Sequence, residues 1–235
     1  NTSMQSITAK PLLDLYIGIS LLSLNKWPKM FKKNKYVVIK QAISKDLATF
    51  LYNYFLMKKQ VYDTCIKERY ISPYEVILGY YEGANEQIPH TYSCYSDIVM
   101  ETLLLKCQPI MEKTTGLKLQ PAYTYARLYK KGDILKRHKD RFSCEISTTM
   151  NLGGDKWDLY LDPSGQEGKK GIKVNLEPGD MLVYSGCELE HWREKFKGKS
   201  CGQVFLHYNN KKTKGSGQNL FDKRPHLGLP SWFKS

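Results

Sequence analysis

The hydrophobic rhythm of this 235-residue chain changes once, near Gly116. Before that point the apolar positions recur mainly at helical spacing. Leu12, Leu13, Tyr16, Ile17, Leu21 and Leu24 fall on one helical face within the run Pro11 to Leu24. Tyr36-Val37-Val38-Ile39-Lys40 breaks the pattern with a β-branched run that predicts a short strand. Ser44, followed by Leu47, Phe50, Leu51 and Tyr54, predicts an N-cap and an amphipathic helix. Ser96 to Thr115 predicts a second long helix, with Val99, Leu103, Cys107, Ile110 and Met111 as its stripe and Gly116 closing it. Ser72-Pro73 and Gly83 to Pro89 read as loops.

Beyond Gly116 the period falls to two. Pro121 to Lys130, Glu145 to Leu152, Lys156 to Leu161, Ile172 to Leu176, Met181 to Tyr184 and Ser200 to Tyr208 all alternate. Gly- and Pro-containing turns separate several of them, as at Asp162-Pro163-Ser164-Gly165 and Glu177-Pro178-Gly179-Asp180. Short strands of this kind predict a closed sandwich or jelly roll. The expected organisation is a single α+β, mainly β domain. A mostly helical support covers 1–120, a β core 121–210, and a tail 211–235, ending in Trp232-Phe233, docks back on the surface.

Composition narrows the class. Hydrophobic residues make up 41% and charged residues 25%, which excludes a disordered, collagen-like or multi-pass membrane chain. Pro11 to Leu24 is shorter than the ~20 residues a spanning helix needs and contains Asp14, so it predicts a helix packed on the body. Six cysteines without a CxxC pair argue against a disulfide scaffold or structural zinc, and predict reduced thiols in the cytoplasm. The net charge is +13, and basic residues crowd two short segments, Lys136 to Arg141 and His191 to Lys199. It fits either a lysine-rich soluble surface or an anionic partner.

Both basic segments contain histidine. His138-Lys139-Asp140 is an HxD pair, whose side chains share a face if the segment is extended. His191 is the candidate third ligand, and two imidazoles with one carboxylate suit non-haem Fe(II) with open coordination positions. The competing reading of His191 is a surface histidine beside Trp192. Lys199, at the start of a strand, supplies a point charge for a carboxylate. Tyr129 can donate to the same group, or simply pack, as one of seventeen tyrosines. His207 is the rival third ligand. It lies about 26 Å from Lys199 at ~3.3 Å per strand residue, too far for one small dicarboxylate to link them, and so reads as a strand or surface histidine. His90 and His226 read as loop residues. Arg127 alternates with Tyr125 and Tyr129 and predicts either a substrate contact or a structural ion pair.

Tyr129-Lys130-Lys131-Gly132, His138-Lys139-Asp140, His191 and Lys199, in that order, resemble the prolyl 4-hydroxylase branch of the 2-oxoglutarate/Fe(II)-dependent dioxygenases. The resemblance spans about Ala122 to Tyr208. It implies a double-stranded β-helix with supporting N-terminal helices. It also implies Fe(II) on His138, Asp140 and His191, 2-oxoglutarate on Lys199 and Tyr129, and ascorbate as a candidate reductant. The implied reaction hydroxylates an unactivated C–H bond while 2-oxoglutarate becomes succinate and CO₂. Two departures stand out. The lysine follows His191 by eight positions, closer than in collagen-type relatives. Asn151, with Thr149 on the same face, occupies a strand position where many relatives carry tyrosine, and either is a secondary cosubstrate contact. A prolyl residue in a peptide or protein, with an acidic segment as one form of it, is the leading substrate, with Arg127, Arg141 and Trp192 as candidate contacts. The alternatives are a free amino acid, a nucleic-acid base as in AlkB-like enzymes, or an inactive cupin-like binding module. Phe205 stands where an AlkB-like second arginine would be expected.

Overall fold

The structure, a computed structural model, describes residues 26–83, 87–164, 166 and 169–234. The helix expected over Pro11 to Leu24 lies outside the described residues. Two antiparallel sheets form the body. The larger has the order β1 (Tyr36–Ile39), β9 (Met181–Ser185), β6 (Ile146–Gly154), β11 (Ser200–Asn210), β4 (Leu119–Lys130), β3 (Tyr92–Tyr95), β2 (Tyr80–Tyr81). The smaller has the order β5 (Leu135–His138), β10 (Glu190–Arg193), β7 (Leu159–Asp162), β8 (Ile172–Val174). The expected jelly-roll layout is therefore present. The strand predicted at Tyr36 forms one edge of the larger sheet as β1, while β3–β2, which the sequence did not mark, form the other.

Three helices support the larger sheet: α1 (Trp27–Asn34), α2 (Lys45–Lys67) and α3 (Ile98–Thr115). Ser44 caps α2 by accepting from the Leu47 amide at 3.2 Å. Ala48, Leu51, Phe55 and Tyr62 form its buried face, whereas Phe50 is 64% exposed, one helical step (about 100°) off the stripe. Helix α3 starts on Asp97, not Ser96, and closes on Gly116 in the left-handed region at φ 73°.

Two cores result, and β11 separates them. Val204, Leu206 and Tyr208 pack toward the helices, while Cys201 and Phe205 turn into the space between the sheets with Tyr129, Leu161 and Tyr184. Tyr52 of α2 lies flat on the larger sheet, where a Cβ at Gly202 would sit 2.5 Å from its ring and one at Gly153 2.9 Å away. Glycine at both positions is what lets the helix approach.

Trp232 and Phe233 remain about half exposed. The clamp is Arg224, fully buried, which pairs with Glu101 of α3 at 2.8 Å and donates to the Ala122 carbonyl. None of the six cysteines is in a disulfide, and no helix among the described residues is long and apolar enough to cross a membrane.

Candidate active site

A cavity of ≈ 640 Å³ opens between the sheets. His138 ends β5, Asp140 follows it in an extended turn, and His191 sits on β10 directly opposite His138 in the strand register. Asp140 is thus outside the strand. Its amide donates to the Gly186 carbonyl at 2.9 Å, which folds the carboxylate back over the histidines. Arg137 fixes the register from the outer face by pairing with Glu190 of β10 and Asp162 of β7.

Asp140 Oδ1 lies 3.7 Å from His138 Nε2 and 3.5 Å from His191 Nε2, and the imidazole centroids are 4.2 Å apart. Each Nδ1 meets a nearby backbone carbonyl, His138 that of Lys136 at 2.8 Å and His191 that of Leu189 at 3.2 Å. A carbonyl only accepts, so Nδ1 carries the proton and Nε2 presents a lone pair to the cavity. Burial, reinforced by His191, lowers the His138 pKa and keeps that lone pair free. Burial works to raise the Asp140 pKa, yet the net shift is downward and the carboxylate stays ionised. Two neutral imidazoles and one carboxylate with converging lone pairs can hold one divalent metal ion.

Asp140 Oδ2 is held by Ser147 Oγ at 3.1 Å and by the Tyr184 hydroxyl at 3.4 Å. Ser147 also contacts His207 Nδ1 at 2.9 Å. His207 is buried and lines the cavity, so the surface reading of this residue is corrected. With Asp140 and Cys144 it forms a second ligand-like cluster. That cluster is the poorer site: burial pushes the Cys144 thiol up to about 12, leaving it protonated, and Ser147 occupies His207 Nδ1.

Of the remaining expected residues, Tyr129, Arg127 and Arg141 line the cavity. The Tyr129 hydroxyl is fully buried and has no hydrogen-bond partner. Arg127 is ion-paired with Glu82 and donates to Gln87 at 3.0 Å, leaving its Nε unpartnered. Arg141 stacks on Tyr123 at 4.8 Å and pairs with Asp222 at 3.1 Å.

Lys199 does not reach the cavity. It is exposed just before β11, its amide bonded to Asp155, and the inward side chain at that end of the strand is Cys201. Trp192 is also outside, because it alternates with His191; it stacks on Tyr160 and carries Arg137 over its ring at 4.3 Å. Asn151 is consumed by the Leu176 carbonyl and the Gly153 amide, and Thr149 bonds Gln203 at 3.2 Å without lining the cavity. Sequence reasoning missed Tyr184 and Ser147, which resemble ordinary strand residues.

No protein-family model and no curated protein sequence matches the chain. Its fold does match solved structures. A Pseudomonas putida prolyl-4-hydroxylase aligns at 14% identity and TM-score 0.58, covering 80% of this chain and 99% of that one. The epimerase SnoN from nogalamycin biosynthesis, solved with Fe³⁺ and α-ketoglutarate, aligns at 11% identity and TM-score 0.60, covering 89% and 93%. EctD from S. alaskensis aligns at 14% identity and TM-score 0.57, covering 92% and 84%. The chain thus has the double-stranded β-helix fold that these proteins share.

Proposed function

We propose that this protein is a 2-oxoglutarate- and Fe(II)-dependent dioxygenase that hydroxylates an unactivated C–H bond. The observation that carries the proposal is the convergence of His138 Nε2, His191 Nε2 and Asp140 Oδ1 on one point of the cavity between the sheets, with both Nδ1 protons tied to backbone carbonyls. These three residues would hold the Fe(II). The unpartnered, fully buried Tyr129 hydroxyl supports a place for a second polar ligand alongside. Bound Fe(II) and 2-oxoglutarate, with O₂, supply the oxidising power for C–H hydroxylation, with succinate and CO₂ as co-products.

The chain's own residues orient and shield. Lys136 and Leu189 carbonyls fix the imidazole rings. Ser147 and Tyr184 hold the far oxygen of Asp140, leaving Oδ1 directed at the metal position. Leu135, Tyr184 and Phe205 line the inner cavity and limit water there. Neither a nucleophile nor a general base is required of the protein.

Tyr80, Tyr81, Tyr123 and Tyr125 line the cavity, together with Lys139 and Arg141. Aromatic faces suit a compact apolar ring and the cations suit flanking acidic groups. These features support the substrate we propose, a prolyl residue in a peptide or protein with acidic neighbours. The test is Fe(II)-dependent succinate formation from 2-oxoglutarate across proline-containing peptides with acidic or basic flanks. Stimulation by the acidic set is expected. Stimulation only by free amino acids or oligonucleotides would reassign the substrate, and no succinate under any condition would contradict the reaction.

A further inference from the structure

Three arginines of the described residues are nearly or fully buried, and two of them have an anion. Arg127 faces Glu82 and Arg224 faces Glu101. Arg193, 1% exposed, has none: among the described residues no carboxylate lies within ion-pair distance of it. Its guanidinium donates to the Trp157 carbonyl and, weakly at 3.4 Å, to Gln203 Oε1, while its Nε–H has no partner. A buried cation without a counter-ion is costly, so an anion that reaches it relieves that cost.

The place is informative. Arg193 lies two residues from His191 on the same face of β10, so its Cα is about 6.6 Å further along the barrel interior. Cys201, Gln203 and Trp157 surround it, all on the inner side of the barrel. Tyr129, whose ring meets Trp157 edge-on at 4.7 Å, connects this niche to the metal-side cavity. Burial pushes the Tyr129 phenol up, and the Arg127 and Arg193 guanidiniums on either side oppose it. The phenol proton is therefore retained and available for donation. Lys199, the alternative cation, is exposed outside the barrel.

We infer that Arg193, with the Tyr129 hydroxyl, forms a buried carboxylate site that takes the distal carboxylate of a short dicarboxylate whose other end reaches His138, Asp140 and His191. In the proposed enzyme that dicarboxylate is 2-oxoglutarate, and to that extent the inference rests on the proposed function. A guanidinium projecting from the strand of the second histidine would then replace a lysine at the start of β11. Planar N–H groups facing a carboxylate in a water-poor niche make strong, directional bonds.

The test is anaerobic calorimetric titration of the Fe(II)-loaded full chain with 2-oxoglutarate and, separately, with 2-oxobutyrate, which lacks the distal carboxylate. Wild type should prefer 2-oxoglutarate strongly. Arg193→Gln should weaken 2-oxoglutarate about a hundredfold while leaving 2-oxobutyrate within about threefold, so that discrimination disappears. Arg193→Lys keeps the charge without the fork. It should lose about tenfold and retain discrimination, which keeps the inference testable if the glutamine variant fails to fold. Lys199→Ala should match wild type. Arg193 variants that bind 2-oxoglutarate normally, or a Lys199→Ala that loses it, would overturn this assignment while leaving the dioxygenase reading intact. A wild type that binds Fe(II) but shows no preference for 2-oxoglutarate would overturn both.

Discussion

Ser147 offers the sharpest view of how the fold holds its metal position. The residue is fully buried, and its hydroxyl lies 3.1 Å from Asp140 Oδ2, 2.8 Å from the Cys144 carbonyl and 2.9 Å from His207 Nδ1. One hydroxyl has one proton. It is shared between the carboxylate and the carbonyl, and His207 Nδ1–H donates into the oxygen. Ser147→Ala removes a bond to a charged acceptor, about 1.5–3 kcal/mol, and strands a buried imidazole N–H. Partial overlap of the two effects gives a net loss of about 3 kcal/mol in the metal-free protein. Asp140 also loses its closer outer support, and losses of this kind weaken metal binding by about 10- to 100-fold. The assay is Co(II) titration followed by visible absorption, with urea unfolding in parallel. Thr148→Val is the neighbouring control: the Thr148 hydroxyl is buried with no partner, so an isosteric methyl should be neutral or slightly stabilising. If Ser147→Ala binds Co(II) within threefold of wild type and unfolds at the same urea concentration, the bridging role is refuted.

Three further outcomes follow from the same geometry. A Cβ at Gly186 would meet Asp140 Oδ2 at 2.5 Å and the Cys144 carbonyl at 2.3 Å, so Gly186→Ala should displace the carboxylate and abolish stoichiometric Co(II) binding; retained binding would contradict it. Arg224→Ala leaves Glu101 buried and unpaired, so it should cost about 3–5 kcal/mol in urea unfolding, and a loss below ~1 kcal/mol would show that the tail is not clamped there. Burial pushes His207 down to about 4 from 6.5, so as pH falls the unfolded chain takes up this proton first. The contribution is full above about pH 6.5 and lost by about pH 4, some 3 kcal/mol in the metal-free protein. His207→Gln should flatten the unfolding profile in that window, and an unchanged slope would remove His207 as its source.

The elements legible in the sequence were those with an apolar rhythm. Ser44 and Gly116 marked helix ends through capping chemistry, and the long strands β4, β6 and β11 declared themselves by alternation. The strands that matter most to the site did not. Leu-Lys-Arg-His in β5 and Glu-His-Trp-Arg in β10 show little apolar alternation, because His138, His191 and Arg193 take inward positions and Arg137 and Trp192 outward ones. The HxD pair and His191 could still be found, since ligand chemistry restricts the residue types. The cation could not be chosen by counting along the chain. Lys199 has a plausible spacing, but strand β11 begins at Ser200 and turns Cys201 inward, while Arg193 shares a strand face with His191. Tyr184 and Ser147 became visible only once β6 and β9 were paired at Ser147 and Tyr184.

The most direct test of the central claim is anaerobic addition of 2-oxoglutarate to the Fe(II)-loaded protein, watched for a metal-to-ligand charge-transfer band in the visible. The account predicts a band in wild type that is absent in His138→Ala and His191→Ala and unchanged in Lys199→Ala. A wild-type protein that binds Fe(II) and 2-oxoglutarate without a band, or a band that survives His191→Ala, would contradict it.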